Sequence, residues 1–238
     1  MLNEPESFIL FRSSFVGYST VMNINLAQSN MIKQQLRTGN VINNAILGLY
    51  VTLPRDSFVP RTYKQFAYSD YKIPLEHQQK MLTPLEEATI LQALNLQGTE
   101  SVLEIGTGCG YFTALLAQCA KQIISVDYYQ SITEHAQKNL DKFNINNVTL
   151  HTGDAHRGWM DNAPYDVIVI TGAIDHLSDV FKAQLMKSGK LFAIIGTGAA
   201  MTGSMFTLDE QEQWLETILF DTCVEPLLTN KTASDFTF

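Results

Sequence analysis

Apolar and polar positions follow two different periods along this chain. Up to residue 51 the apolar residues recur every three or four positions, which predicts two helices. The first ends at Thr38-Gly39, and the residues that share its apolar face are Leu26, Met31, Ile32 and Leu36. The second runs from Val41 to Val51, and its inward residues are Ile42, Ile46, Leu47 and Tyr50.

From Leu85 onwards the pattern changes to helices that alternate with short apolar strands. The predicted helices are Leu85–Leu96, Gly110–Cys119, Ile132–Phe143 and Leu177–Met186. The predicted strands are Ser101–Ile105, Gln122–Val126, Val148–His151, Tyr165–Ile170 and Lys190–Ile195, with a closing antiparallel hairpin over Met205–Leu208 and Trp214–Thr222. This alternation predicts an α/β fold with a doubly wound, mostly parallel sheet that follows an N-terminal helical segment.

Composition restricts the partners of the chain. Its 238 residues include 24 acidic and 16 basic side chains, a formal net charge of −8. This sign opposes binding to a phosphate backbone or an anionic membrane, because neither gains from counterion release. No segment has the length of a transmembrane helix, and Glu4 and Glu6 precede the first apolar stretch where a secretory signal would be basic. We therefore expect a cytoplasmic protein without a nucleic-acid or membrane partner.

The first strand of the alternating region ends in a glycine-rich turn, Glu104-Ile105-Gly106-Thr107-Gly108-Cys109-Gly110. Glycines at alternate positions let the backbone approach a ligand closely, and ligands of doubly wound sheets bind at such strand ends. A dinucleotide fingerprint needs a small third residue where this chain has Tyr111. Glu104 would repel a pyrophosphate, but it suits a cofactor that carries an amino group and a sulfonium cation.

Two further carboxylates follow the next predicted strands. Asp127 comes after the second strand, where an acidic side chain accepts hydrogen bonds from both hydroxyls of a ribose. Asp154 follows the third strand, where it would accept a hydrogen bond from an adenine amino group. Because the carboxyl ends of parallel strands meet at one edge of a sheet, Glu104, Asp127 and Asp154 together predict an adenosyl ligand with an amino acid tail.

Motifs on both sides of this turn resemble one known family. Val102–Tyr111 closely resembles the first motif of the protein-L-isoaspartate O-methyltransferases. The resemblance continues outside the glycine-rich turn, in Gln34–Arg37, Leu53–Pro60, Ala67–Asp70, Gly153–Trp159, Ala163–Ala173 and Gln184–Leu191. It covers about residues 30–196, which makes it specific to this family beyond methyltransferases in general.

The resemblance implies a bacterial, Rossmann-like class I methyltransferase that binds S-adenosylmethionine and needs no metal. The residues expected to hold the cofactor are Glu104, Gly106, Thr107, Gly108, Asp127, Tyr128, Asp154 and Ala155. The acceptor implied is the carboxylate of an isoaspartyl residue in a damaged protein or peptide, whose ester collapses to a succinimide, and the enzyme is expected as a monomer or homodimer. The chain then divides into a possible extension or misassigned start (1–21), a helical and substrate-loop segment (22–84), a cofactor-binding domain (85–228) and a tail (229–238).

The substrate loop departs from the family pattern. The family reads Gly-Gln-Thr-Ile-Ser-Gln-Pro, whereas residues 78–84 here read Gln-Gln-Lys-Met-Leu-Thr-Pro. Lys80 thus stands at the family's Thr position and Leu82 at its Ser position, and a leucine side chain forms no hydrogen bond. The catalytic candidates that remain are Lys80, which would pair with an acceptor carboxylate, and Thr83, which would supply a hydroxyl if the loop is reshaped.

Four functions stay open on the sequence alone. Methyl transfer to an ionised carboxylate needs positioning and desolvation but no general base, so an enzyme of this family is the leading hypothesis. Leu82 and Lys80 also motivate a methyltransferase with another acceptor, or a cofactor-binding pseudoenzyme. A nicotinamide-dependent oxidoreductase is the third alternative, which Tyr111 and Glu104 disfavour.

Overall fold

The alternating segments form one seven-stranded sheet in the computed structural model, which describes residues 26–229. The strands are β1 (Ser101–Ile105), β2 (Gln122–Asp127), β3 (Val148–Thr152), β4 (Tyr165–Ile174), β5 (Leu185–Thr197), β6 (Ala200–Leu208) and β7 (Trp214–Thr222). Their order across the sheet is β3-β2-β1-β4-β5-β6-β7. Strands β1 to β5 are parallel, and β6 pairs antiparallel with both β5 and β7. The predicted α/β fold, with its mostly parallel sheet and closing antiparallel hairpin, is confirmed.

Five helices accompany the sheet in the described part of the chain. They are α1 (residues 26–36, π-helical over Met31–Leu36), α2 (Asn44–Thr52), α3 (Pro84–Leu94), α4 (Tyr111–Ala117) and α5 (Gln130–Lys142). Short 3-10 turns occupy Arg55–Ser57, Arg61–Phe66, Glu76–Gln78 and Asp179–Gln184. None of the helices within residues 26–229 is long and apolar enough to cross a membrane.

The strand side chains alternate between two cores, one on each face of the sheet. Val102 of β1 belongs to the larger core, to which α1 to α4 and the end of α5 contribute, whereas its neighbour Leu103 belongs to the smaller one. The smaller core is covered by Ala155, Phe181 and Leu185 from the segments around β4. This period of two, with both faces buried, explains why the central strands read as continuous apolar runs.

The predicted helix Leu177–Met186 is wrong. A 3-10 turn over Asp179–Gln184 stands in its place, and its N-cap Ser178 accepts a hydrogen bond from Val180 N at 3.4 Å. Leu185 then extends the following strand, where it pairs with Tyr165 and is buried. Tertiary pairing therefore outweighs the local apolar spacing that favoured a helix.

Two residues that the helical pattern directed inward are exposed. Ile42 is 73% exposed because α2 begins only at Asn44, and the side chain of Asn43 caps it by accepting hydrogen bonds from the next turn. Leu26 is 58% exposed at the start of the described chain. The other predicted apolar faces are buried or partly buried. The predicted extension (1–21) and nearly all of the predicted tail (229–238) lie outside the described residues.

Strand order reverses between β1 and β4, since the chain runs outward from β1 through β2 to β3 and then crosses to β4 on the other side of β1. This is the switch point at which open α/β sheets bind ligands beyond the carboxyl ends of their strands. The turn after β1, the loop after β2 and the end of β4 all meet at this edge.

Candidate active site

A cleft of about 80 Å³ opens at the switch point. Its floor consists of the ends of β1, β2 and β4, with Ile105, Gly106, Gly108, Val126, Asp127, Thr171 and Gly172. Its walls come from four other segments, which contribute Leu75, Gln79, Lys80, Tyr128, Tyr129, Gly153, Ala155 and residues 224–228. Of the eight residues expected to hold the cofactor, five line this cleft: Gly106, Gly108, Asp127, Tyr128 and Ala155.

The glycine-rich turn needs its glycines for two different reasons. Gly106 has a φ of +104°, and a Cβ at this position would lie 2.2 Å from the hydroxyl oxygen of Thr171. Gly110 has a φ of +81° and begins α4 packed against Ala136, which a Cβ would approach to 3.1 Å. Only glycine adopts such backbone angles without strain, so the turn can pass close to β4 and to α5.

Glu104 supports the turn from inside the protein instead of lining the cleft. Its side chain is fully buried, and Oε2 accepts hydrogen bonds from Thr113 and Ser125, each at 2.6 Å. The Ser125 hydroxyl in turn lies 2.6 Å from that of Thr107. Burial raises the pKa of Glu104 to about 8, and its hydrogen bonds oppose the rise. Oε1 is buried with no hydrogen-bond partner in the described chain.

Asp127 lies at the end of β2 and points its carboxylate back to the turn. Oδ2 accepts from the backbone N–H of Gly108 at 3.1 Å, and Oδ1 accepts from Tyr129 N at 3.2 Å. Burial raises the pKa of this carboxyl, against the lowering effect of the backbone hydrogen bonds. Tyr129 stacks on His77 with ring centroids 3.8 Å apart, which joins the wall of the cleft to the loop before α3.

Asp154 does not line the cleft, although its neighbours Gly153 and Ala155 do. Its Oδ1 accepts a hydrogen bond from His156 N at 2.9 Å, and Oδ2 accepts one from the Thr229 hydroxyl at 3.2 Å. The carboxylate therefore ties the loop after β3 to the end of the described chain.

A second cavity of about 50 Å³ adjoins the cleft and separates the turn from the substrate loop. We call it the acceptor pocket, and it is lined by Leu75, Lys80, Met81, Leu82, Glu87, Gly106, Thr107, Gly108, Cys109, Tyr111, Phe112 and Thr171. Lys80 lines both cavities, and its Nζ donates a hydrogen bond to Glu225 Oε1 at 2.8 Å. This partner raises the pKa of Lys80, which keeps a cation at the mouth of the pocket.

Thr83, the second catalytic candidate, lies outside both cavities. It is the N-cap of α3, and its hydroxyl accepts a hydrogen bond from Glu86 N at 3.3 Å while the Glu86 side chain accepts from Thr83 N. This reciprocal capping box leaves the hydroxyl on the helix end and not beside the turn. The structure thus offers no support for a catalytic Thr83.

A buried ion pair lies beneath the substrate loop. Arg55 and Glu87 are 1% and 2% exposed, and Arg55 Nη1 contacts Glu87 Oε2. The guanidinium also donates to the backbone carbonyl of Leu82 at 2.6 Å and lies 4.9 Å from the ring centre of Tyr111 in α4. Arg55 therefore connects the substrate loop to both α3 and the helix that follows the cofactor turn. Burial raises the pKa of Glu87 to about 7, with Arg55 opposing the rise.

Sequence reasoning missed the C-terminal wall of the cleft. Residues 224–228 run beside the end of β4, where Ala173 N donates to Glu225 O at 3.0 Å and Leu227 N donates to Ala173 O at 2.7 Å. Thr171 was also missed as a site residue, although its hydroxyl donates to the carbonyls of Ile105 and Gly106. The family motif around Thr171 was the available signal, and the C-terminal wall had none.

Residues 26–222 match the family model described as protein-L-isoaspartate(D-aspartate) O-methyltransferase. The chain belongs to this family. A protein-L-isoaspartate O-methyltransferase from Brucella anthropi is 31% identical over 214 residues, which is 90% of this chain and 98% of the relative. One from Dictyoglomus thermophilum is 37% identical over 161 residues, 68% of this chain and 73% of the relative.

Solved structures agree on the fold of the family. A protein-L-isoaspartate O-methyltransferase superposes with a TM-score of 0.74 at 22% identity, covering 85% of this chain and 66% of that one. A Plasmodium falciparum protein, described as a candidate enzyme of the same name and solved with S-adenosyl-L-homocysteine, gives 0.72 at 15% identity, covering 84% and 98%. Both describe the class I methyltransferase architecture.

The cleft fits the cofactor of the family. Asp127 offers a carboxylate at the strand end where a ribose would lie, and Ile105, Val126 and Leu75 offer apolar surface. The unpartnered Oε1 of Glu104 is a buried acceptor next to the turn, suited to a cationic ligand. Within residues 26–229, no group of His, Cys, Asp and Glu side chains is arranged to hold a metal ion.

Proposed function

We propose that this protein transfers a methyl group from S-adenosylmethionine to the carboxylate of an isoaspartyl residue in a polypeptide. The observation that carries the proposal is the continuity of two cavities, a cofactor cleft at the switch point and a small acceptor pocket beside it. Membership of the family supports the acceptor. We further propose that it acts as a monomer or homodimer in the cytoplasm, on polypeptides and not on nucleic acid or membranes.

The cofactor-binding half of the site comes from the sheet. Gly106 and Gly108 let the backbone approach the ligand, Asp127 would accept from the ribose, and the positive charge of the ligand would favour the ionised form of the buried Glu104 carboxyl. Tyr128 and Ala155 would flank the adenine side of the cleft. When bound, S-adenosylmethionine supplies an electrophilic methyl group on a sulfonium.

The acceptor half differs from the family loop. The hydroxyl of Thr107 is engaged with Ser125, and that of Thr171 donates to backbone carbonyls, so neither hydrogen is free for an acceptor. Lys80 is the cation that lines the pocket, and we propose that an acceptor carboxylate replaces Glu225 as its partner. Because an ionised carboxylate is already a nucleophile, the pocket has to orient it and exclude water, and Met81, Leu82 and Phe112 supply the apolar surface for this.

Leu82 favours a second candidate, a methyltransferase of this family with a different acceptor. A pocket that lacks the family's loop hydroxyls leaves the polar groups of the usual acceptor without partners, which penalises that acceptor strongly. In this alternative the cofactor half is unchanged, and only the acceptor changes.

The test is transfer of a labelled methyl group to an isoaspartyl peptide, with the matching aspartyl peptide as control. The proposal expects transfer to the isoaspartyl peptide only, and a rise in KM of about tenfold or more for Lys80→Met with a smaller change in kcat. The double variant Lys80→Thr, Leu82→Ser restores the two hydroxyl side chains of the family loop. Activity that appears only in this variant would favour the different acceptor, and equal transfer to both peptides would refute the proposal.

A further inference from the structure

A large groove begins at Thr83, where the substrate loop ends and α3 starts. Its volume is about 600 Å³, within the range of ligand-binding sites in proteins. One wall is the outer side of α3 from Thr83 to Ala93, and the other is the end of β7 from Ile218 to Asp221. Strand β7 is the edge of the sheet, with no strand beyond it in the described chain.

The groove and the acceptor pocket adjoin through two short stretches of chain. Lys80 lines the pocket and Thr83 lines the groove, and Glu225 lies in the cleft while Asp221 lies in the groove. An extended chain advances at most about 3.6 Å per residue, so each pair is separated by no more than about 15 Å of backbone. A polypeptide whose acceptor residue reaches Lys80 can therefore continue into the groove within a few residues.

The dimensions of the groove suit an extended segment. The ten helical residues from Pro84 to Ala93 span about 15 Å, which matches four or five residues of extended chain. Apolar surface comes from Leu85 and Leu219, and Ile218 is 62% exposed. An unpaired strand edge also presents backbone groups that an extended chain can pair with.

The charges of the groove are of one sign. Among its lining residues are Asp70, Glu86 and Asp221, and none is Lys or Arg. Glu86 is neutralised by Lys72, whose Nζ lies 2.6 Å from Oε1 and 2.8 Å from Oε2. Asp70 and Asp221 are exposed and form no salt bridge within residues 26–229. The groove thus offers two uncompensated carboxylates to a cationic occupant.

We infer that this groove binds the segment that flanks the acceptor residue, as an extended chain with lysine or arginine side chains opposite Asp70 and Asp221. The inference deepens the proposed function and rests on it for the identity of the occupant, a polypeptide acceptor. The groove then acts as a second contact that selects acceptors by the charge of their neighbouring sequence, separately from the chemistry at Lys80.

Binding without chemistry is the first test. A fluorescein-labelled hexapeptide of alternating lysine and valine, with no acceptor residue, is titrated with the full chain in the absence of cofactor, and its anisotropy is followed. We expect saturable binding that weakens with salt, and at least tenfold weaker binding of the glutamate-for-lysine peptide. Equal affinity for the two peptides, or no binding of either, overturns the inference.

Matched variants test whether the lysine peptide binds in the groove. The double variant Asp70→Asn, Asp221→Asn should weaken binding of the lysine peptide about tenfold, because it removes both free charges. Glu216→Gln is the control, since Glu216 is an exposed carboxylate on the same strand but outside the groove. An equal loss in the control variant contradicts the assignment. Peptide binding that appears only after residues 1–25 are removed would contradict the assignment, because those residues would then be the occupant. A dimer that Asp221→Asn dissociates would also contradict it, because a second copy of the chain would be the occupant.

Methyl transfer separates this inference from the proposed function. With an isoaspartyl peptide that carries a lysine-rich flank, KM should be about tenfold lower than with a glycine-rich flank, and the double variant should abolish the difference without changing kcat on the glycine-rich peptide. Transfer that ignores the flank refutes the groove alone. Failure of all transfer, with charge-selective peptide binding intact, refutes the proposed function and with it the identity of the occupant, but not the binding of a cationic chain in the groove.

Discussion

Replacing Arg55 by methionine removes one partner of a buried ion pair while keeping most of the apolar volume. Arg55 and Glu87 are almost completely inaccessible to water, and the guanidinium also holds the carbonyl of Leu82. In Arg55→Met the Glu87 carboxyl keeps its burial but loses the positive charge that stabilises its ionised form. Breaking a buried pair in this way typically costs about 3–5 kcal/mol.

The cost should depend on pH in a definite direction. Burial already raises the pKa of Glu87 to about 7 in the presence of Arg55, and loss of Arg55 raises it further. A carboxyl whose pKa is higher in the folded protein than its unfolded value, near 4.5, binds its proton more tightly in the folded state. The free energy of unfolding therefore falls as pH rises from 4.5 through the folded-state pKa. We therefore expect Arg55→Met to lose more stability at pH 8 than at pH 5.5, where protonation of Glu87 removes the unpaired charge.

Urea unfolding at both pH values measures this, together with a double-mutant cycle. At pH 8 the free energy of unfolding of Arg55→Met should be lower by about 3–5 kcal/mol, and the double variant Arg55→Met, Glu87→Met should recover most of the loss. A loss below about 0.5 kcal/mol, or a loss of equal size at both pH values, would mean that the pair is not both buried and charged.

Three other substitutions have defined outcomes. Because burial raises the pKa of Glu104 to about 8, the free energy of unfolding should fall as pH rises from 5 to 8.5, by up to a few kcal/mol. Glu104→Gln should make this fall smaller, and urea unfolding across the pH range checks it. Gly106→Ala should weaken binding of S-adenosylhomocysteine by at least a hundredfold in calorimetry, since its Cβ would meet Thr171 at a φ of +104°, and unchanged affinity would contradict the turn geometry. Gly48→Ala should stabilise the protein by about 0.5–1 kcal/mol in the same unfolding assay, because α2 leaves open space there; a loss of stability would contradict it.

The parallel sheet could be predicted because its strands are buried on both faces. Continuous apolar runs such as Val167–Ile170, separated by amphipathic helices, admit few other arrangements. The residues at which strands and helices begin and end were harder to predict, since they depend on tertiary partners. Leu185 extends β5 because Tyr165 is available as its neighbour, and the spacing of apolar residues around it carries no information on that pairing.

The position of the cofactor cleft in the fold could be predicted from the sequence. The burial and the hydrogen-bond partners of its residues could not. Glycine spacing and the strand-end carboxylates placed Gly106, Gly108 and Asp127 at one edge, where the structure has them. That Glu104 is fully buried, and that Asp154 bonds to His156 and Thr229, depends on the depth of the strands and the path of the chain end.

The acceptor side depended on contacts between distant parts of the chain. Glu87 is 32 residues from Arg55 and Glu225 is 145 residues from Lys80, and no local pattern links either pair. Thr83 looked like a replacement hydroxyl because it lies one position from Leu82. Its spacing to Glu86 was the signal that it caps a helix instead.

Methanol release from an isoaspartyl peptide in a single turnover measures directly whether the protein methylates isoaspartate. The intact protein is in excess, and labelled S-adenosylmethionine is present at a concentration shown by calorimetry to saturate the cleft. We expect one equivalent of labelled ester per isoaspartyl residue, followed by methanol as the succinimide forms, and no label on the aspartyl peptide. Stoichiometric binding of the cofactor, with no label on the isoaspartyl peptide, would contradict it.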